Sequence, residues 1–336
     1  MALNIIVERN VPFLRGSLEP VANVSYLAPG EITPEAMRHT DALITRTRTR
    51  CDEALLAGSD CRFIASATIG LDHVDVDWCR DNGITVCNAP GCNAPAVAQY
   101  VMASIIAIHG HDLRGLTLGV VGAGHVGSIV LRWASALGMR TLACDPPRAE
   151  AEGSGQFCPL EQIAAVADII TFHTPLTTSG DYPTFHICGS DFLSSLRRQP
   201  TVINSARGAV VDTPALIDAL ESGTVGHAVI DCWEKEPDID RRLLELADIA
   251  TPHIAGYSSQ GKARASHMAV KALTRYFGLP ECKLSVPMPA DAPQQVSIES
   301  ITSSYSPEAD TEALRKSPEM FEALRNNYNL RSEPLS

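Results

Sequence analysis

Short apolar runs alternate with helix-length segments along most of this 336-residue chain. The runs are LNIIV (3–7), ALITRT (42–47), CRFIASAT (61–68), LTLGVVG (116–122), RTLACD (140–145), DIITFHT (168–174), TVINSA (201–206), HAVIDCW (227–233) and DIATPHI (248–254). Each is long enough for one strand, and continuous apolarity indicates burial on both faces, as in parallel sheets between layers of helices. The pattern therefore predicts an α/β protein.

Two helix-length segments, 94–109 and 259–277, mark the passages between two such α/β units. A chain of this length allows about two domains at about 150 residues each. We predict two Rossmann-like or flavodoxin-like parallel-sheet domains with a cleft between them, plus a short C-terminal appendage. The predicted bounds are 1–93 with 258–280 for the first domain, 94–257 for the second and 281–336 for the appendage.

The composition limits the partners and the compartment. Lys and Arg number 27 against 39 Asp and Glu, a formal net charge of −12, which argues against nucleic acid and anionic membranes as partners. The ten cysteines have no spacing typical of a zinc site, so we expect reduced thiols, no metal and a cytoplasmic protein. The longest apolar stretch, YVMASIIAIHG, is too short to span a bilayer.

The chain after about residue 280 is rich in Pro and Ser. One late segment departs from this, with Met320, Phe321, Leu324 and Tyr328 on one face of a predicted helix. That face is typical of an oligomer contact, whereas the surrounding composition is typical of disorder. The sequence leaves both interpretations open.

The run GVVGAGHVG carries the first ligand signal. Gly122, Gly124 and Gly127 form a GxGxxG pattern directly after an apolar strand and before a helix with an apolar inner face. Glycines allow a tight turn and a close approach of the backbone, so a pyrophosphate can bind at the helix N-terminus. The pattern alone is weak, but the strand before it and the helix after it favour a dinucleotide site.

An acidic residue ends the next predicted strand. Asp145 lies about 20 residues after Gly122, where an acid is expected to meet the ribose hydroxyls of a dinucleotide. Its carboxylate would repel a 2′-phosphate, so NAD is favoured over NADP, although Arg148 nearby leaves NADP open. A plain turn role before Pro146 is the alternative interpretation.

Three polar residues follow successive predicted strands: Arg207, Glu236 and His253. In an open parallel sheet these strand ends face the ligand crevice. A guanidinium can bind a carboxylate through two parallel hydrogen bonds, and an imidazole, whose unperturbed pKa is about 6.5, can accept a hydroxyl proton as hydride leaves. Each residue alone also fits an ordinary structural role, but the three together, after a dinucleotide turn, predict a dehydrogenase with Glu236 orienting His253.

Four runs, GAGHVG, NSARGAVVD, DCWEKEP and TPHIAGY, together resemble the NAD-dependent D-2-hydroxy acid dehydrogenases, and the resemblance covers about residues 3–280. Within that family, ATIGLDHVD, APGCNAPAVAQYV, CDPPRA and TFHTPL resemble the branch that oxidises 4-phospho-D-erythronate in pyridoxal 5′-phosphate biosynthesis. The resemblance implies a substrate-binding first domain, an NAD-binding second domain and a homodimer whose C-terminal dimerisation segment is shortened here.

The same resemblance implies roles for individual residues. It assigns catalysis to Arg207, Glu236 and His253. It assigns substrate contacts to Thr47, which stands where the family more often has serine, and to Thr68 and Tyr257. The implied NAD contacts are Gly122, Gly124, His125, Val126, Gly127, Asp145, Thr174, Ser205, Ala206, Arg207, Asp231 and Gly256.

A phosphorylated hydroxy acid is anionic at both ends, so it needs two cationic or N–H-rich poles. Arg207 supplies one, and the run RTRTR (46–50) offers the other. An extended run would put Arg46 and Thr47 on opposite faces, whereas a turn after Arg46 would bring both to one ligand. We predict that Arg46 binds the phosphate. For Arg48 and Arg50, phosphate binding and a position on a solvated edge fit equally well.

Two other functions stay open from the sequence. One is a dehydrogenase for a different D-2-hydroxy acid, such as 3-phosphoglycerate. The other is a non-catalytic NAD-sensing module, because one scaffold can host many functions. The complete Arg, Glu and His set favours an enzyme, since a sensor needs no proton acceptor.

Overall fold

A computed structural model describes residues 3–288 and 296–334. By their contacts, residues 3–93 and 259–288 form one compact unit, and residues 94–258 and 296–334 form a second. Each unit is built on one parallel sheet, and the two are described separately below.

The first unit has a five-stranded parallel sheet in the order β2-β1-β3-β4-β5. Its strands are β1 (Leu3–Glu8), β2 (Ala22–Leu27), β3 (Ala42–Thr45), β4 (Phe63–Ser66) and β5 (Thr85–Cys87). Its helices are α1 (Pro34–Met37), α2 (Glu53–Leu56), α3 (Val76–Asp81) and the long α11 (Ser259–Phe277). This strand order is the flavodoxin-like one, in which the winding direction reverses between β1 and β3.

The second unit has a six-stranded parallel sheet in the order β11-β10-β9-β8-β6-β7. Its strands are β6 (Thr117–Val121), β7 (Arg140–Cys144), β8 (Ile169–Phe172), β9 (Thr201–Asn204), β10 (His227–Ile230) and β11 (Ile249–Ala250). Its helices are α4 (Ala94–His109), α5 (His125–Ala136), α6 (Pro146–Glu152), α7 (Leu160–Val166), α8 (Ser190–Ser194), α9 (Thr213–Glu221), α10 (Arg241–Leu246), α12 (Ile298–Ser304), α13 (Glu308–Lys316) and α14 (Phe321–Asn326). The order reverses between β6 and β8, so ligands are expected at the carboxyl ends of these strands.

Both faces of each sheet are buried, as the continuous apolar runs predicted. In β4, Phe63 joins the apolar cluster on one face of the sheet and Ile64 the cluster on the other. In β9, Val202 and Ile203 divide between the two faces of the second sheet in the same way. Successive side chains of a strand point to opposite faces, so only a strand covered by helices on both sides can be apolar throughout.

The C-terminal residues 296–334 pack on the second unit. Leu314 and Phe321 belong to the core on one face of its sheet, and Ile301 and Tyr305 belong to the core on the other. The sequence left order or disorder open, and the structure resolves this for residues 296–334, which form three helices with buried side chains. Met320 is exposed, because α14 begins one residue later and turns Phe321 inward.

The predicted fold class, two α/β domains with parallel sheets, is confirmed. The helices predicted at 94–109 and 259–277 are α4 and α11. Two strands had no prediction, the edge strand β2 and the short β5. Among the described residues, no helix combines the length and the apolarity that a membrane crossing requires.

Candidate active site

The GxGxxG turn joins β6 to α5 at the reversal of the sheet. Gly122 has φ +90°, and a Cβ there would lie 2.9 Å from the backbone nitrogen of Thr174, at the end of β8. A Cβ on Gly127 would lie only 2.0 Å from the carbonyl oxygen of Gly122, so α5 can approach the turn only because residue 127 lacks a side chain, and the turn can approach the end of β8 only because residue 122 lacks one. Gly124 has open space at its Cβ position and His125 is exposed, which leaves the start of α5 accessible to an anion.

Asp145 begins α6 beside this turn. Its Oδ1 accepts a hydrogen bond from the backbone N–H of Arg148 at 3.2 Å, and its Oδ2 accepts one from the N–H of Ala123 at 2.8 Å. The Arg148 guanidinium pairs with Glu152 at 2.7 Å and donates to the carbonyl of Ala123. Asp145 thus both caps a helix and holds an acid next to the glycine turn, while the nearby cation has its own carboxylate partner. This arrangement fits NAD better than NADP.

Two hydroxyls near the sheet reversal have no protein partner. Thr174 follows β8 and Ser205 follows β9, and within the described residues neither buried Oγ has a hydrogen-bond partner. Buried polar atoms are rarely left unpaired, so this pair fits a site that a polar ligand completes. Of the other predicted contacts, Val126 and Gly256 are half-buried and Ala206 is buried.

Glu236 and His253 form a direct pair. The His253 Nδ1 lies 2.8 Å from Glu236 Oε2 and 3.1 Å from Oε1, and Oε1 also accepts the N–H of Trp233 at 2.9 Å. Burial acts to raise the pKa of Glu236, but the hydrogen bond and charge of His253, the Trp233 N–H and the charge of Arg325 outweigh it and lower that pKa. The carboxylate is therefore ionised and holds Nδ1, which leaves Nε2 as the ring nitrogen able to take a proton.

The loop that carries His253 is held by a buried acid. Asp231 is 1% exposed, and its carboxylate accepts hydrogen bonds from Thr251 Oγ1 at 2.6 Å, from Ile254 N at 2.7 Å and from Ala255 N at 3.0 Å. The His253 N–H donates to the Asp231 carbonyl at 2.9 Å, and His253 has φ +56°. A histidine in the left-handed region costs free energy, so these bonds must maintain the conformation. Asp231 was predicted to contact NAD, and in the structure its carboxylate binds this loop.

Arg207 lies at the end of β9, next to the loop after β10. Its guanidinium donates to the carbonyl of Ala206 at 2.9 Å. The side-chain amide of Asn204 donates both to the Arg207 carbonyl, at 3.0 Å, and to the Cys232 carbonyl, at 3.1 Å, and thereby joins the two loops. A Cβ on Gly208 would lie 1.9 Å from the Trp233 carbonyl oxygen, so the two backbones touch. The structure thus brings the end of NSARG against DCWEKEP.

Cys232 lies close to Glu236 and His253. One potential ligand atom from each of Cys232, Glu236 and His253 falls within a span of 4.8 Å. Burial, followed by the charges of Asp231 and Glu236, raises the pKa of the Cys232 thiol, and the charge of Arg207 opposes that rise. The thiol is therefore protonated. The carboxylate of Glu236 and the imidazole of His253 are hydrogen-bonded to each other.

In the first unit, two of the predicted substrate residues, Arg46 and Thr47, follow β3. The chain bends after Arg46, so RTRTR is not an extended continuation of the strand. The buried Glu8 holds this bend through its Oε2, which accepts hydrogen bonds from Thr45 Oγ1 at 2.9 Å, from Thr49 Oγ1 at 2.8 Å and from Arg46 N at 3.2 Å. Thr47 is exposed at the bend.

The remaining predicted residues of the first unit differ in exposure. Thr68 is half-buried, and Arg48 and Arg50 are exposed. Arg50 pairs with Asp52 at 3.1 Å. Arg48 and Arg50 thus have the exposure of a solvated edge, and Arg46 is the more buried of the three cations.

Two functional candidates had no sequence signal. Lys262 lies in the first turn of α11, where burial, followed by the charge of Arg46, lowers its pKa to about 8. Arg325 lies in α14, 3.8 Å from Glu236 Oε2, and it hydrogen-bonds to Tyr257. Both residues meet predicted site residues that are far away in the sequence, so no local pattern identifies them.

The chain is similar to known dehydrogenases. Residues 95–255 match the family model described as D-isomer specific 2-hydroxyacid dehydrogenase, NAD binding domain. An erythronate-4-phosphate dehydrogenase of Bacteroides fragilis is 45% identical over 338 residues, which cover 98% of this chain and 97% of that protein. One from Porphyromonas gingivalis is also 45% identical, over 97% of this chain and 92% of its own. The chain belongs to the erythronate-4-phosphate dehydrogenase family.

Solved structures share the fold of this chain. The TT0316 protein of Thermus thermophilus is 28% identical, with a TM-score of 0.67 over 84% of this chain and 100% of its own. D-lactate dehydrogenase of Aquifex aeolicus, solved with NAD and lactic acid, is 25% identical, with a TM-score of 0.67 over 82% of this chain and 95% of its own. The predicted membership of the erythronate-4-phosphate dehydrogenases, within the D-2-hydroxy acid dehydrogenases, is confirmed, and so is the NAD-binding class of the second unit.

Proposed function

We propose that this protein catalyses the NAD-dependent oxidation of 4-phospho-D-erythronate to (R)-3-hydroxy-2-oxo-4-phosphooxybutanoate, a step of pyridoxal 5′-phosphate biosynthesis. The observation that carries the proposal is the contact of His253 with Glu236, on the same sheet that carries the glycine turn. The family assignment supports the substrate class, since the relatives named above carry the name erythronate-4-phosphate dehydrogenase.

In this proposal each residue of the trio has one role. Arg207 binds the substrate carboxylate through parallel hydrogen bonds, which orients C2. His253 Nε2 removes the proton of the C2 hydroxyl while C2 loses a hydride, so the hydroxyl becomes a carbonyl. Glu236 holds Nδ1 and stabilises the imidazolium that forms, because its own pKa is low enough to keep it ionised.

The residues of the second unit fit NAD. The start of α5 would bind the pyrophosphate, and Asp145 would bind the ribose hydroxyls. Thr174 and Ser205 would hydrogen-bond to polar groups of NAD through their hydroxyls. NAD supplies the hydride acceptor. His125, Val126, Ala206 and Gly256 remain further proposed contacts, whereas Asp231 is proposed to support the site through the His253 loop that its carboxylate holds.

Arg46 and Lys262 are proposed to bind the phosphate of the substrate, with Thr47 and Thr68 as further contacts. Burial, followed by the charge of Arg46, lowers the pKa of Lys262, and a bound dianion would stabilise both cations. Changing Arg46 to Ala should raise KM for 4-phospho-D-erythronate far more than KM for D-erythronate. Equal losses for both substrates would remove Arg46 from the phosphate site.

The direct test is to incubate the purified protein with 4-phospho-D-erythronate and NAD, with and without a 2-oxo acid to reoxidise NADH. We expect the 2-oxo product by mass spectrometry in both cases, and more of it with the acceptor if NAD stays bound between cycles. D-Erythronate, 3-phosphoglycerate and D-lactate serve as competing substrates. Retained NAD binding without oxidation of any hydroxy acid would refute the proposal in favour of a sensor, and preference for 3-phosphoglycerate would reassign the substrate.

We also propose a cytoplasmic homodimer. Within the described residues the ten cysteines form no disulfide and most of them are buried, which suits a reducing compartment. Light scattering of the purified protein tests the dimer, and cell fractionation tests the compartment.

A further inference from the structure

The C-terminal residues 296–334 are bonded to the loop that carries His253. Arg331, itself buried, donates to the carbonyl of Ile254 at 3.0 Å and to the carbonyl of Ala255. Ser258 donates to Glu333 at 2.7 Å. These contacts fix the position of the segment relative to the proposed catalytic residues of the same unit.

Within this segment, the side chain of Arg325 reaches the proposed catalytic pair. Its Nη1 lies 3.8 Å from Glu236 Oε2, and its guanidinium donates a hydrogen bond to the hydroxyl of Tyr257. The side chain is only 22% exposed, so water screens its charge weakly. Glu322, one turn earlier, approaches Arg325 to 3.6 Å from a more exposed position.

We infer that Arg325 is a positioning residue, which keeps Glu236 ionised against His253 and holds the hydroxyl of Tyr257. The role in turnover rests on the proposed function, whereas the electrostatic action on the pair does not. No reacting atom contacts Arg325 in this inference, since it acts through Glu236 and Tyr257.

Removing a cation beside the Glu236–His253 pair makes both groups hold their protons more tightly, so the pair titrates at higher pH. The active form for oxidation has Glu236 ionised and His253 neutral. The acid limb of kcat/KM should therefore move to higher pH, by about one unit for a partly screened charge at this distance.

Other charged or titratable groups lie near the pair or near Arg325. They are Asp231, Cys232, Arg207, Tyr257 and Glu322. Because Arg325→Gln and Arg325→Lys both keep these residues, the difference between those two variants reports the charge at residue 325.

The first experiment follows the His253 imidazole by NMR in the substrate-free full-length protein, with ¹³C-labelled histidine and assignment by a His253→Asn spectrum. Arg325→Gln should raise the titration midpoint by about one pH unit, and Arg325→Lys, which keeps the charge, by less than half as much. Glu322→Gln should lower the midpoint, because it removes an anion that competes for Arg325. This exposed position also gives a test if Arg325→Gln fails to fold.

Arg315→Gln is the matched control. Arg315 also belongs to the C-terminal segment and anchors it, through the carbonyls of Ala247 and Asp248, without approaching Glu236. It should leave the midpoint unchanged. An unchanged midpoint in the Arg325 and Glu322 variants, or an equal shift in Arg315→Gln, would overturn the inference.

The second experiment measures the pH profile of kcat/KM for 4-phospho-D-erythronate. At pH values below the acid limb, Arg325→Gln should reduce kcat/KM about tenfold, and the loss should shrink above the limb. A pH-independent loss would indicate a merely structural role and would count against the inference. If the unaltered protein oxidises no 4-phospho-D-erythronate, the proposed function fails, while the NMR titration still decides the action of Arg325.

Discussion

The replacement of Asp231 by Asn separates two roles of this buried acid. In the structure its carboxylate accepts hydrogen bonds from Thr251, Ile254 and Ala255 and so holds the loop of His253. The resemblance to D-2-hydroxy acid dehydrogenases instead implied an NAD contact. Asn has nearly the same shape but only one acceptor oxygen, so it tests the loop-holding role without creating a cavity.

The expected magnitude follows from the three distances. An amide oxygen in the Oδ1 position keeps Thr251 and Ile254, but the amide nitrogen then faces the N–H of Ala255, which loses its acceptor at 3.0 Å. Losing a hydrogen bond to a charged group and leaving a buried donor unpaired costs about 2–4 kcal/mol. Removing a buried charge recovers part of this, so we expect the free energy of unfolding to fall by about 2 kcal/mol.

The assay compares thermal unfolding, kcat and the Kd for NAD in Asp231→Asn and in Asp248→Asn. Asp248 stands three residues before the His253 loop and accepts one backbone N–H, from Ala228 at 3.0 Å, but its side chain is 37% exposed and pairs with His227 at 2.9 Å. Asp231→Asn should lower Tm by roughly 4–8 °C and reduce kcat with little change in NAD affinity, and Asp248→Asn should have a smaller effect on Tm and kcat. Normal stability and kcat, combined with weakened NAD binding, would refute the loop-holding role.

Three further predictions use other parts of the site. His253→Ala should lower kcat about 10²–10⁴-fold while NAD still binds, as measured by steady-state kinetics and calorimetry, and near-normal turnover would mean that another group takes the proton. Because the pKa of Lys262 is lowered to about 8, kcat/KM for the phosphorylated substrate should fall as the pH rises through about 8. The variant Lys262→Met should abolish that fall, and a fall that persists in the variant would exclude Lys262 from the phosphate site. Gly127→Ala should destabilise the protein and weaken NAD binding, because its Cβ would meet the Gly122 carbonyl at 2.0 Å; thermal unfolding and NAD titration measure both effects, and an unchanged protein would contradict the close approach.

Much of the fold could be predicted because its signals are local. The central strands carry apolar stretches, such as residues 5–7 of β1, and α4 shows its helical period within 16 residues. The strand β2 was not predicted, because it is an edge strand in which Ala22 alone is buried and Asn23 and Ser25 are exposed. The strand β5 has three residues, too few to form a pattern.

The candidate site likewise contains residues that the sequence indicated and residues that it did not. The sequence pointed to Arg207, Glu236 and His253 because each follows a strand of one parallel sheet, and parallel strands end at the same edge. It also indicated the glycine turn, whose pattern is contiguous. It gave no indication of Lys262 or Arg325, since their neighbours are set by packing between distant segments.

By itself the sequence determined the α/β class, the strand ends that carry polar residues and the membership of a dehydrogenase family. Only the tertiary structure decided that Asp231 holds the loop of His253, that the chain bends after Arg46, and that residues 296–334 pack beside Glu236. The physical reason is that periodicity and turn chemistry act between neighbours in the chain, whereas the partner of a buried charge is chosen by how the whole unit packs.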